Sequence, residues 1–278
     1  VAERLGVTMD MVNVAQVDTD ISPFGLGSFA TRGTLMGGNG VLAAAKDAYD
    51  QMADIAADML NTKAADVACR KAMFFSKSSS ETKISFQDIA SEATIRHHGA
   101  PIVGTGFYKP PTELPDPDTK KGNISPAYPF GCQIAEVEVD PDTGQVSVTN
   151  FVAAHDVGRA INPMATVGQI QGGIAQGLGW TLMENMAYED GKMINADFVD
   201  YIVPSCFDIP DIKAILVEPI EPNGPYGAKG IGEPALNPTM AAITNAIYDA
   251  TGVRIKELPV NPQKLLAQIQ KLGKHVKE

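Results

Sequence analysis

The sequence predicts an α+β protein with mixed sheets and packed helices. Three observations carry this. Stretches with apolar residues every three or four positions alternate with stretches of period two. The alternation lacks the regular strand–helix–strand beat of a Rossmann domain. Of the 278 residues 44% are hydrophobic, enough to bury a sizeable core as one large or two smaller domains.

Taken in order, the chain opens at Val1-Ala2-Glu3-Arg4-Leu5-Gly6 as if inside a helix, with no initiator Met, basic segment or apolar leader. It is read as continuing a segment upstream. A first helix is expected after Gly40, where Leu42, Ala45, Tyr49, Met52, Ile55 and Met59 form an amphipathic stripe. A second starts at Ser85, with Asp88 three residues on, and stops at Gly99. Residues 103–129 hold six prolines and read as a long irregular excursion, of the kind that is functional or wraps a partner. A soft boundary inside it gives two lobes, 1–115 and 116–278. Alternation over 133–139, the turn Asp140-Pro141-Asp142-Thr143-Gly144 and a return strand over 145–152 make a hairpin. A third helix is expected over about 164–184, with strands at 195–203 and 212–218. Asn237-Pro238 and Asn261-Pro262 open two more helices, closed by Gly252 and Gly273.

Composition excludes several classes of function. A net charge of -11, spread along the chain, is poorly matched to phosphate backbones and argues against nucleic acid. No uncharged apolar run reaches the roughly 18 residues of a membrane-spanning helix. Cys69, Cys132 and Cys206 are far apart and form no CxxC pair, so this chain should hold neither an iron–sulfur cluster nor a zinc knuckle. All three are expected to be reduced and buried, which suits a cytoplasm. His97, His98, His155 and His275 lack metal-ligand spacing and read as structural or exposed.

Four segments could carry chemistry. Residues 25–33, followed by Gly37-Gly38-Asn39-Gly40, are glycine-rich and lead into a helix; backbone amides there, with Arg32 as countercharge, suit an anionic phosphate, unless the segment is an ordinary loop. Residues 155–163 run into a stretch where Gly168, Gly172, Gly173, Gly177 and Gly179 alternate with glutamines through an expected helix. Each glycine costs about 1 kcal/mol against alanine in a helix, so close packing or close approach to a cofactor must compensate. Gly227-Ala228-Lys229-Gly230-Ile231-Gly232-Glu233-Pro234 sets one acid in an apolar loop; burial would raise its pKa toward that of a general base, whereas a surface turn would not. Residues 195–201 read as a strand with one polar face.

Together, the order and spacing of these segments resemble the molybdopterin-binding large subunit of the molybdenum hydroxylases, the family of xanthine dehydrogenase and aldehyde oxidoreductase. The joint pattern is Gly-Ser-x-x-Thr-Arg at 27–32, Asp-Val-Gly-Arg-x-Ile-Asn-Pro at 156–163 running into Gly-Gln-x-x-Gly-Gly, and Gly-x-Gly-Glu-Pro at 230–234. The likeness runs from Val1 to about Ile269. It is to the C-terminal half of such a subunit, and to the medium subunit of nicotinate-dehydrogenase-like enzymes that split it in two. The resemblance implies that Gly27, Ser28, Phe29, Ala30, Thr31 and Arg32 contact a molybdopterin cytosine dinucleotide, with Ala30 beside the metal. Gln169 would hydrogen-bond the cofactor, Lys229, Gly230, Ile231 and Gly232 would line it, and Glu233 would be the catalytic base next to molybdenum. The pterin dithiolene, not the protein, would ligate the metal. The implied reaction inserts a water-derived oxygen into a heteroaromatic or aldehyde C–H bond, with hydride transfer to molybdenum. The implied partners are the other half of the subunit and iron–sulfur and FAD subunits, in a cytoplasmic complex outside which the chain is inactive. A non-catalytic scaffold paralogue and a reductive member acting on an aromatic CoA thioester stay open beside it. A generic phosphate-binding protein would leave all but the first segment unexplained.

Overall fold

A computed structural model describes residues 1–20 and 22–273; His275 lies outside them. The fold is α+β with separate sheets, as the sequence predicts. The chain divides into two compact units, Val1–Pro126 and Ala127–Glu278, so the division falls at 126/127, further along the proline-rich segment than 115/116.

In the first unit α1 (Ala2–Leu5) precedes the long α2 (Gly33–Met59). An antiparallel sheet β1 (Val67–Arg70), β2 (Met73–Ser76), β3 (Lys83–Ser85) follows, then α3 (Phe86–Arg96). The apolar stripe of α2 does the packing: Met52, Ile55 and Ala56 meet Val67, Phe74, Ile84 and Ile89 in one buried cluster. α3 begins as its sequence dictates, with Ser85 Oγ accepting from the Asp88 amide and the Asp88 carboxylate accepting from the Ser85 amide, both at 3.1 Å. Two features depart from the sequence reading. The three short strands carry no readable pattern; β1 and β2 are joined through Lys71 and Ala72, both left-handed. And α2 starts at Gly33, not after Gly40, so Gly37-Gly38-Asn39-Gly40 is helix and not loop. Residues 103–106 lie along α2 so closely that a Cβ on Gly104 or Gly106 would fall 2.2 or 2.3 Å from the Ala44 backbone. The Gln51 side-chain amide donates to Val103 O at 3.0 Å, and Asp47 Oδ2 accepts from the Thr105 amide at 2.9 Å. The start of the proline-rich excursion is thus part of this unit's own packing.

The second unit is built on β4 (Gly131–Val139) and β5 (Val146–Asp156), antiparallel, with β8 (Asp211–Val217) added parallel to β5. The predicted turn joins β4 and β5: Asp140 Oδ1 accepts from the Asp142 amide at 2.8 Å, and Gly144 takes φ 75°. α4 (Pro163–Leu182), α5 (Thr239–Thr251) and α6 (Pro262–Lys271) supply the other side of the core. Phe151 and Ala153 of β5 are buried with Ile170, Ile174 and Leu178 of α4, Ile243 and Ile247 of α5, and Leu265 and Ile269 of α6. Burying each such aliphatic side chain contributes about 1.5–3 kcal/mol. Asn261 caps α6 as read, and Asn162 caps α4, which starts at Pro163; each accepts from the amide three residues on at 3.0 Å. α5 instead starts one residue after Pro238 and closes at the left-handed Gly252.

Residues 195–203 are not a strand. Asp197 Oδ1 accepts from the Val199 amide at 3.0 Å and its carbonyl from the Tyr201 amide at 2.9 Å, which curls the segment into a turn. A small hairpin, β6 (Tyr188–Glu189) and β7 (Lys192–Met193), turns on Asp190-Gly191 just before it. The cysteines are all free, but only Cys69 is even half-buried; Cys132 and Cys206 are exposed. Cys132 sits on the sheet face opposite the helices, where alternation puts every second residue of β4 outward. His97 and His98 are exposed and His155 is fully buried. Among the described residues no helix is long and apolar enough to cross a membrane.

Candidate active site

In the first unit, residues 25–33 form an exposed loop that becomes α2 without a side-chain cap. Gly27, Ala30 and Thr31 are left-handed at φ 85°, 48° and 59°. For Ala30 and Thr31 that conformation costs about 1 kcal/mol or more each, and such strain gathers where a ligand is gripped. The backbone reverses tightly, Arg32 N donating to Phe29 O at 3.1 Å, and the Arg32 guanidinium lies 5.0 Å over the exposed Phe29 ring. A Cβ at Gly33 would fall 2.7 Å from Ser28 Oγ, so a side chain there would turn the serine hydroxyl aside. First-turn amides of a helix this long, with Arg32 at the cap, match an anionic, hydrogen-bonding group.

In the second unit the glutamate loop is anchored by the segment that follows β5. Lys229 N donates to Val157 O at 3.0 Å and Arg159 N to Gly227 O at 2.8 Å, with Gly158 bridged to Ala228. Gly158, at φ 59°, would place a Cβ 2.4 Å from Gly227 O, so only glycine allows this approach. Below the backbone sits a charge cluster the sequence did not reveal. The Lys229 ammonium lies 2.6 Å from Asp156 Oδ2 and 3.8 Å from Glu221 Oε2, and donates to Tyr128 O at 3.0 Å. The Lys229 side chain is only 9% exposed. Lys229, expected to line the cofactor, is therefore engaged as an internal pillar of the loop. A signal existed in the acid of Asp156-Val157-Gly158-Arg159, but 73 residues separate it from its lysine.

Beyond the pillar, Gly230 and Ile231 are half-buried, while Gly232 and Glu233 are exposed. The burial expected of Glu233 is not supplied by its surroundings in this unit. Gln169 of α4, also exposed, donates from Nε2 to Gly232 O at 2.7 Å. Gln169 and Glu233 are thus brought together, the amide gripping the carbonyl next to the acid. The glycines of α4 divide between the two reasons proposed for them. A Cβ on Gly173 or Gly177 would come within 2.8 Å of Ala235 or 2.6 Å of Thr239, so these two serve packing. Gly168 and Gly172 face open space, on the same helical face and flanking Gln169. This half offers an open, small-residue surface beside a hydrogen-bonding amide and a carboxylate, which fits a flat polar cofactor. Gln133, which donates to Ala235 O at 2.7 Å, is a further residue the sequence reading missed. Among the described residues no group of three or more His, Cys, Asp or Glu is placed to hold a metal ion.

Glycine-lined loops with left-handed backbone in one unit and an exposed acid beside small residues in the other are features of the class of cofactor-binding domains. Residues 1–210 match the family described as the molybdopterin cofactor-binding domain, and the chain belongs to that family. It is 32% identical, over 99% of its length, to the 6-hydroxypseudooxynicotine dehydrogenase complex subunit gamma of Paenarthrobacter nicotinovorans, covering 34% of that protein. It is 32% identical, over 98% of its length, to the putative xanthine dehydrogenase molybdenum-binding subunit of Escherichia coli, covering 35% of it. Among solved structures it superposes on Cu,Mo-CO dehydrogenase with a TM-score of 0.85 at 27% identity, covering 99% of this chain and 34% of that one. Quinoline 2-oxidoreductase from Pseudomonas putida 86 gives 0.83 at 28%, covering 97% and 34%. The chain therefore spans about a third of these relatives' length, not the half that the motifs suggest.

Proposed function

We propose that this chain supplies the Glu233 end of the molybdopterin-binding subunit of a molybdenum hydroxylase, with Glu233 as the catalytic base. The observation that carries the reading is the mounting of Glu233. The acid stands at an exposed tip, while the loop beneath it is fixed by the Lys229–Asp156 pair and by Gln169 on Gly232 O. An exposed acid whose loop is held by its backbone is placed to take a proton from a group brought to it. Ser28, Thr31, Arg32 and the first amides of α2 would hold the polar and phosphate groups of the cofactor, and Gln169 would hydrogen-bond its pterin. Ala30 would lie beside the metal, where a small side chain leaves room. When bound, the molybdenum cofactor supplies the two-electron redox chemistry that no side chain here can. The desolvation of Glu233 then comes from cofactor and substrate.

The dinucleotide is the cytosine form, and electrons leave through iron–sulfur clusters and FAD on partner chains. The remainder of the molybdopterin-binding subunit, outside this chain, completes the cofactor cleft, and the complex works in the cytoplasm. The substrate is a heteroaromatic compound or an aldehyde hydroxylated with oxygen from water. These statements extend what the relatives' names say of those proteins: a dehydrogenase complex subunit, a xanthine dehydrogenase subunit and a quinoline oxidoreductase. The test is Glu233→Gln in the assembled enzyme. Turnover should fall by at least roughly 10²–10⁴-fold, with molybdenum per complex near wild type. Activity within about threefold of wild type removes Glu233 from the chemistry.

A further inference from the structure

We infer that Gln133 is the positioning residue for Glu233, an inference that rests on Glu233 being the base proposed above. Gln133 lies on β4, facing the core side of the sheet. Its Nε2 donates to Ala235 O at 2.7 Å, two residues beyond Glu233. Its Oε1 accepts from Thr239 Oγ1 at 2.7 Å, at the start of α5. Its Nε2 is also 3.0 Å from Nε2 of His155, the neighbouring strand's fully buried histidine.

Thr239 Oγ1 also lies 2.9 Å from Ala235 O, so its single proton is shared between that carbonyl and Gln133 Oε1. A backbone carbonyl only accepts, so the amide nitrogen of Gln133 faces Ala235 O. Its second N–H then points at His155 Nε2, which presents a lone pair. That assignment puts the His155 proton on Nδ1, a buried atom with no hydrogen-bond partner among the described residues, and burial disfavours the imidazolium. A protonated His155 would set two donors against each other. The amide is thus oriented from three sides, by the helix start, the loop and the sheet.

On the other flank of the acid, Gln169 holds Gly232 O at 2.7 Å. Between the two grips, Leu236 N donates to Glu233 O at 3.0 Å, and Pro234 has a fixed φ. Two side-chain amides, one on the sheet and one on α4, therefore clamp the carbonyls on either side of Glu233. Neither bond is to its carboxylate. Gln133 sets where the carboxylate stands.

The experiment uses Gln133→Leu, similar in volume without the donor, and Thr239→Val, which releases Gln133, each in the assembled molybdenum-loaded complex. Turnover, KM, molybdenum per complex and hydrogen–deuterium exchange of peptides covering 230–237 are measured, with Glu233→Gln alongside. For Gln133→Leu, kcat should fall about 10- to 100-fold, the scale of a displaced catalytic group, while KM and molybdenum content stay within about twofold. Exchange over 230–237 should rise about tenfold or more without a global rise. Thr239→Val should move the same quantities in the same direction by less, and it carries the test where Gln133→Leu does not assemble. An unchanged kcat for both variants, in an enzyme that Glu233→Gln silences, overturns the positioning role. So does a loss of molybdenum or assembly in proportion to activity, which would make Gln133 a core residue only. An active Glu233→Gln enzyme overturns the base assignment beneath it, a distinct result read from a different variant.

Discussion

The two candidate loops, one in each unit, are held in opposite ways. Residues 25–33 are exposed, take left-handed backbone at Ala30 and Thr31, and are shaped by short-range contacts: Arg32 N on Phe29 O, Arg32 on the Phe29 ring, Ser28 against Gly33. Residues 227–236 are bound to their own unit from β4, the β5 end and α4, with a buried ion pair underneath. The difference teaches a division of labour. A loop that must close on a ligand can leave part of its ordering to that ligand. A loop that must present one carboxylate at a fixed point has to be rigid beforehand, because a base displaced by about 1 Å loses most of its effect.

That comparison is open to attack at three points. The largest stability effect is expected from Lys229→Met. Removing the ammonium leaves Asp156 and Glu221 partly buried without their cation, and breaking such a pair typically costs about 3–5 kcal/mol. Urea unfolding should show a loss of that size; a loss under about 1 kcal/mol would mean the pillar is ornamental and the second loop no more rigid than the first. Next, Gly177→Ala forces a methyl group to within 2.6 Å of Thr239 Cβ, and overpacking of this kind costs about 1–3 kcal/mol. Gly172→Ala, which meets open space in the interior of α4, should instead raise stability by about 0.5–1 kcal/mol, the helix-propensity difference between the two residues. Equal melting temperatures for the two would erase the distinction between packing and exposed glycines. Smallest in stability is Arg32→Ala, within about 0.5 kcal/mol because its loop is exposed. Its effect should appear instead as lower molybdenum and pterin per complex, since charge-assisted bonds to phosphate are among the stronger polar contacts. Full cofactor occupancy with a slower rate would move Arg32 from binding to chemistry.

Much of the scaffold was legible because its signals are local. The capping pair Ser85 and Asp88, the turn from Asp140 to Gly144, the Asn-Pro start of α6 and the apolar stripe of α2 each act within one or two turns of chain, where sequence spacing is spatial spacing. The departures have more than one origin. α2 runs back to Gly33 through Gly37, Gly38 and Gly40, whose low helix propensity read as a loop. The alternation over 195–203 gave way to the local pull of Asp197 on the amides that follow it. Asp190-Gly191 was a readable hairpin signal that the reading passed over.

At the site, the sequence by itself determined which residues are special: the glycines at 27 and 158, the cation Arg32, the amide Gln169 and the acid Glu233 stand out by type and order alone. It also carried the family, since ordered motifs spread over the chain survive where any one of them would be ambiguous. Only the tertiary structure decided what each residue touches. It turned Lys229 from an expected cofactor contact into the partner of Asp156, left Glu233 exposed where burial was expected, and split the α4 glycines into those that pack and those that face outward. The physical reason is that burial, ion pairing and close approach are properties of segments far apart in the chain. Residue spacing along one strand or helix carries no information about which distant segment arrives to meet it.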